Sequence, residues 1–187
     1  VLPRIGLQYL LARDDWVRAM PTINDTDYMH RRVQGQVSDG DCYAMGGICG
    51  HAGVFGSGPA VSGLLQYLVG APSESHVFLN STTVELFTTL HDGSFSSRAL
   101  GWDTNSYDYS IEDQGYDNSC GSFPEEAFMH IGYTGTCVCG VRGGLWSVVL
   151  TNRVFNCNGQ SCPSELSTLT KDVYRKFNTE AHRIYAS

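Results

Sequence analysis

Residues 128–154 read FMHIGYTGTCVCGVRGGLWSVVLTNRV. Two strongly β-forming runs, TCVCGV and LWSVVL, are broken by glycine pairs at Gly132/Gly135 and Gly143–Gly144, where a chain reverses most easily. The pattern predicts three short strands over about 127–132, 135–142 and 145–151, joined as an antiparallel meander. Cys137 and Cys139 lie two apart on one predicted strand, so their thiols share a face. They can be small buried hydrophobes, metal ligands or partners of other cysteines, and residue statistics favour burial. The unusual part of the stretch is its polar mouth: a histidine and several hydroxyl groups gather at the turn of an apolar hairpin.

The stretch is followed by PSELSTLTKDVYRKFNTEAHRIYA, with a proline near the first turn and Leu166, Leu169, Val173 and Phe177 at helical spacing. This predicts a C-terminal helix that lays that stripe on the sheet. Before the stretch, residues 91–127 are polar and glycine-rich apart from ALGWD at 99–103, which reads as one strand among variable loops. Two helices precede them. One starts at the cap Ser57 ahead of Pro59, places Val61, Leu64, Leu65 and Leu68 on one face and stops at Gly70; the other starts at Asn80 or Ser81, presents Val84, Phe87 and Thr88, and ends near Leu90. Ile5, Leu7, Leu10, Leu11 and Trp16 also have helical spacing, and the Gly- and Asp-rich chain from there to Gly58 predicts a long ordered loop with short strands. The division is therefore a loop-rich segment (1–56), helices (57–90), variable loops (91–127), and a meander with its helix (128–187), all within one α/β (α+β) domain.

A chain of 187 residues with 42% hydrophobic residues can bury an ordinary core. Its net charge of -7, with Lys171 and Lys176 as its lysines, provides no basic stripe for a nucleic acid or an anionic membrane. Its apolar runs are far shorter than the roughly 20 residues of a spanning helix. The seven cysteines leave the redox compartment open. Cys157 and Cys162 bracket a short loop and can close on each other, whereas no double Cys-x-x-Cys spacing suits a structural zinc, so neither metal nor cofactor is expected. His51 in GHAG and the acids of SDGD, Asp39 and Asp41, read as loop and turn residues rather than catalytic ones. Trp102 and Trp146 read as core aromatics.

GGICGHAGVFGSGPAVSGLLQYL, then GWD, then HIGYTGT and a strand ending in VVLTNRV together resemble the penicillin-recognising serine hydrolases: class C type β-lactamases, D-alanyl-D-alanine carboxypeptidases and related esterases. The likeness spans about residues 33–155 and is nearest the branch in which His-Thr-Gly replaces Lys-Thr-Gly. It implies a central antiparallel sheet flanked by helices, of which this chain supplies the C-terminal portion, and a separate helical region holding part of the site. It also implies that His130, Ile131 and Gly132 form a cleft wall where a basic residue and hydroxyls hold a substrate carboxylate and backbone groups line an oxyanion site. Ile131 departs from the family threonine, and Thr134 or Thr136 compensates only if the turn aims it inward.

The family nucleophile is a serine in Ser-x-x-Lys, with the lysine on the same helical face. Three residues before Lys171 and Lys176 stand Thr168 and Val173, so the motif is absent and no catalytic residue is assigned to this chain. The family's Tyr-x-Asn has a counterpart at Tyr116–Asn118, too close to His130 to match its spacing. Two readings follow. In one, the chain is part of a serine hydrolase acting through an acyl-enzyme on an amide, ester or β-lactam. The N-terminal half of the same protein, or another chain, then supplies serine, lysine and tyrosine. In the other, it is a non-catalytic structural or binding module of a larger assembly. The resemblance implies a periplasmic or extracellular setting, with an organellar one left open.

Overall fold

The computed structural model describes residues 2–70, 79–105, 119–157 and 163–186. Its centre is a four-stranded antiparallel sheet in the order β3-β4-β5-β6, with β3 at Asp103–Thr104, β4 at Phe128–Gly132, β5 at Thr136–Gly140 and β6 at Trp146–Leu150. The expected meander is therefore present, in the register His130 opposite Val138 and Gly132 opposite Thr136. Strand alternation divides its side chains between two cores. Phe128 sends its ring to one face, where it joins Leu65, Val69 and Val84, with Val138, Trp146 and Val148 packed around them. Met129, Cys137 and Cys139 face the other way and pack with Cys120, Phe123 and Tyr174.

Helix α2 (Gly58–Val69) covers the first face. The Ser57 hydroxyl accepts the Ala60 amide at its start, as its sequence predicts, and the Trp146 indole donates to Ser62 Oγ at 2.8 Å across the interface. Helix α3 (Ser81–Thr88) begins at the cap Asn80, whose side chain accepts Thr83 N, and buries Val84 and Thr88; Phe87 remains 44% exposed. Helix α4 (Ser164–Tyr185) covers the second face, but not with the expected stripe. Thr170, Tyr174 and Asn178 are the residues pressed on the sheet, while Leu169, Val173 and Phe177 are 60%, 47% and 49% exposed. The physical reason lies at Asn178. It donates to Ser119 O at 2.7 Å, accepts the Ser147 hydroxyl at 2.6 Å, and so turns the helix about its axis to satisfy buried polar groups.

Two disulfides anchor the loops. Cys120–Cys139 ties the segment entering β4 to β5, and Cys42–Cys49 closes a loop around α1 (Gly40–Ala44). Cys137 is buried with its sulfur 3.8 Å from Cys139 Sγ, so the shared face of the two residues holds, and Cys139 is a disulfide partner as well as a core residue. Cys157 is also disulfide-bonded; Cys162 lies outside the described residues.

The amino-terminal segment corrects another expectation. Instead of a helix it forms short 3-10 turns at Leu2–Ile5 and Arg13–Arg18, because Gly6 and Leu10 take positive φ and Gln8 exchanges both backbone bonds with Phe55. The expected ordered loop with short strands follows, as a hairpin of β1 (Pro21–Asp25) and β2 (Arg31–Gln34). ALGWD is likewise a turn rather than a strand: Gly101 has φ +82°, Ala99 N bonds Trp102 O, and pairing starts only at Asp103. The class is α+β, with two small antiparallel sheets and helices.

Candidate functional site at the β4–β5 turn

The polar mouth noted in the sequence is the turn Gly132–Gly135 with the strand ends that lead into it. His130 is exposed and stands edge-on to Trp102, ring centres 6.4 Å apart. By the register, Gly132 and Thr136 face the same side as His130, so the Thr136 hydroxyl lies diagonally across the hairpin from the imidazole. Ile131 points to the opposite face and packs against the α4-side core. Of the residues read as a wall, the structure thus brings His130 and Gly132 to one surface and puts the Ile131 side chain elsewhere, leaving only its backbone at the strand. Thr136 is the hydroxyl that joins His130; strand parity in the sequence carries that signal once the turn is placed.

Gly132 has a local reason to lack a side chain, since a Cβ there would collide with Thr136 Oγ1. The turn itself is tightly braced. Gly135 N donates to Gly132 O, Thr151 N to Gly135 O, and Arg153 N to Thr134 O at 3.0 Å, while Arg153 Nε donates to Tyr133 O at 2.7 Å and its guanidinium lies over the Tyr133 ring. The Thr134 carbonyl is therefore committed to Arg153, and the Thr134 side chain is half-buried in the brace. Gly135 has φ +101°, and a Cβ on it would crowd Thr151 Oγ1 and Arg153 N. Such a turn holds its strand ends in place, with His130 and Thr136 on one face of the hairpin.

On the opposite face of the sheet, the Tyr174 phenol is buried and makes no hydrogen bond of good geometry. Burial, reinforced by nearby Cys137, pushes its pKa up to about 12; Thr151 is close enough to oppose the shift weakly without being aligned to bond. Tyr174 is therefore a neutral phenol and offers no base to the turn.

The other sequence candidates form a separate knot. Asp39 accepts Cys42 N at 2.8 Å as the N-cap of α1 and meets His51 Nε2 at 3.1 Å; the cap first and His51 second hold its carboxyl below the usual carboxylate range. Both side chains are largely exposed, and their work is to hold the disulfide loop, as their turn chemistry implies. Asp41 lies in the first turn of α1 and is exposed. Trp102 packs edge-on to Phe128 and Trp146 caps the α2-side core, in agreement with a core role. Tyr116–Asn118 lies outside the described residues. Among the described residues, no cluster of three histidine, cysteine or acidic side chains is arranged to hold a metal, and no helix is long and apolar enough to cross a membrane.

Comparison with known proteins finds no match to this chain among family models, curated proteins or solved structures.

Proposed function

We propose that this chain is the sheet-bearing part of a β-lactamase-related serine hydrolase, in which His130 and the β4–β5 turn contact the acyl group or carboxylate of an amide, ester or β-lactam. The observation that carries the reading is the order HIGYTGT combined with its placement: the imidazole, a glycine and the Thr136 hydroxyl share one face beside a rigid turn. Thr136 supplies on that face the hydroxyl that Ile131 withholds. Serine, lysine and tyrosine for acylation come from another segment or chain.

A second feature supports an incomplete sheet. β6 ends the strand order, and the bonds Val141 N to Leu145 O and Thr151 N to Gly135 O set the ladder parity. Ser147 and Val149 therefore bond inward, while the backbone groups of Trp146, Val148 and Leu150 point off the edge. Residues 121–122 flank α4 at Arg175, Thr179 and His182, which leaves the exposed Leu169, Val173 and Phe177 on the flank turned toward that edge. Among the described residues, an open strand beside an exposed apolar stripe suits an added strand and its packing element.

The test is acylation. The chain alone is expected to form no adduct with a labelled penicillin or fluorophosphonate, because neither lysine has a serine three residues before it and an unassisted hydroxyl is a poor nucleophile. The complete assembly is expected to be labelled, and His130→Ala to slow labelling about 10²-fold or more. An adduct on a serine of this chain alone, removed by changing that serine to alanine, overturns the assignment of the nucleophile elsewhere. An unlabelled complete assembly supports the alternative, a non-catalytic structural or binding module, toward which Ile131 in place of threonine and the extra cysteines lean.

A further inference from the structure

At the end of the β4–β5 hairpin opposite the His130 turn, four elements line an open cleft of about 270 Å³. The end of α3 contributes Thr89 and Leu90, β3 contributes Thr104, the approach to β4 contributes Glu125 and Glu126, and the residue pair after β5 contributes Arg142. Among the described residues, the guanidinium is anchored through a single nitrogen. Arg142 Nη1 donates to Thr88 Oγ1 and Thr89 Oγ1, each at 3.3 Å, and at 3.5 Å to Thr88 O, the last carbonyl of α3, where the helix dipole favours a cation. Nε and Nη2 form the remaining edge of the fork, the edge that fits a carboxylate with two parallel bonds. The cleft is also held still, because the neighbouring Gly143 N bonds Val69 O at the end of α2.

The charges in this cleft are not spent on each other. Among the described residues, Arg142 has no carboxylate within ion-pairing distance, and neither Glu125 nor Glu126 pairs with a cation, although all three line one cavity. A half-buried cation and two exposed acids that line one cleft without pairing match a ligand that carries both charges itself. An arginine that served only to cap α3 would not require a cavity with acids across from it.

We propose that this cleft binds a small zwitterionic α-amino acid, its carboxylate on Arg142, its ammonium toward Glu125 and Glu126, and its side chain against Leu90. The site is distinct from the His130 turn and stands independently of the hydrolase reading.

The experiment is an NMR titration of the complete protein with L-valine, N-acetyl-L-valine and L-valinamide, followed at the amides of Thr89 and Thr104 and at the Arg142 Nε–H. Valine should give saturable shifts at all three positions. Valinamide, without the carboxylate, should bind about tenfold more weakly, since hydrogen bonds to a charged group are the stronger kind. N-acetylvaline, whose ammonium meets exposed acids, should lose on the order of threefold. Glu125→Gln/Glu126→Gln should remove the preference for valine over N-acetylvaline at unchanged melting temperature, and Arg142→Met should remove binding. The three-ligand series on the unaltered protein decides the matter even if Arg142→Met does not fold. No saturable shift with valine up to ~20 mM, about twenty times a Kd of about 1 mM, overturns the proposal, as does equal binding of all three ligands.

Discussion

The two helices that sandwich the sheet are both amphipathic, yet they use their apolar faces differently. Helix α2 buries Leu65 and Val69 against the Phe128 side with Leu68 packed beside them, while Val61 and Leu64 of its predicted face are half-buried, so its pattern and its contacts overlap. Helix α4 is polar over most of its length and commits only part of its apolar stripe. The part on the sheet is seamed with Thr170, Tyr174 and Asn178, and the more hydrophobic part faces outward beside the β6 edge. The difference teaches that an apolar stripe announces a need for cover without saying which surface provides it. Buried hydrogen bonds at Asn178 outrank the apolar stripe in setting the rotation of α4, because an unsatisfied buried amide costs more than an exposed aliphatic side chain.

The sharpest way to break this comparison is truncation on each helix. Leu65→Ala in α2 should destabilise by about 3 kcal/mol through lost burial and a cavity, whereas Phe177→Ala in α4 should cost less than about 1 kcal/mol. Denaturant melts of both variants decide it, and equal losses would mean that something covers the α4 stripe in solution. The same stripe should make the chain alone self-associate and bind a hydrophobic dye, and polar substitutions at Leu169, Val173 and Phe177 should suppress both. A monomeric, cooperatively melting chain that binds no dye would remove that support for an incomplete sheet.

The polar seam predicts the next effect in size. Asn178→Ala should cost about 2 kcal/mol, because it strands Ser119 O and the Ser147 hydroxyl in the interior. Tyr174→Phe, one turn earlier, has the opposite expected sign. It removes a buried hydroxyl that lacks a proper partner and should stabilise by up to about 1 kcal/mol, read from the midpoint of unfolding. Because the folded-state pKa of Tyr174 is raised, the folded protein holds that proton more tightly than the unfolded chain. The associated stability is complete below the ordinary tyrosine pKa and is lost as pH rises toward about 12, and Tyr174→Phe should remove this alkaline loss.

The smallest effect lies away from both helices. Asp39 has a depressed pKa, so its contribution is present above the unfolded carboxylate value and disappears as pH falls through the lower folded one. Asp39→Asn should therefore reduce the acid sensitivity of the Cys42–Cys49 loop while leaving the melting of the sheet within about 0.5 kcal/mol, since Asn also caps helices well. Hydrogen exchange at Cys42 N across acidic pH reads the local effect.

How much was legible follows from how local each cause is. The meander, the Ser57 and Asn80 caps and the shared face of Cys137 and Cys139 rest on neighbours within a few residues, and residue order alone determined them. So did the Asp39 turn, and strand parity already contained the separation of Ile131 from His130 once the turn was placed. Only the tertiary structure decided the rest. Leu7 has helical spacing with its neighbours, but its partner is the Phe55 region, brought in by a backbone pairing that no local pattern encodes. The rotation of α4 depends on Ser119 and Ser147, 59 and 31 residues from Asn178. The charged cleft joins Thr89, Thr104, Glu126 and Arg142 from four elements, each ordinary by itself. Propensity and periodicity act between near neighbours, whereas the pairing of buried polar groups and the meeting of separated charges are settled only when the chain has closed on itself.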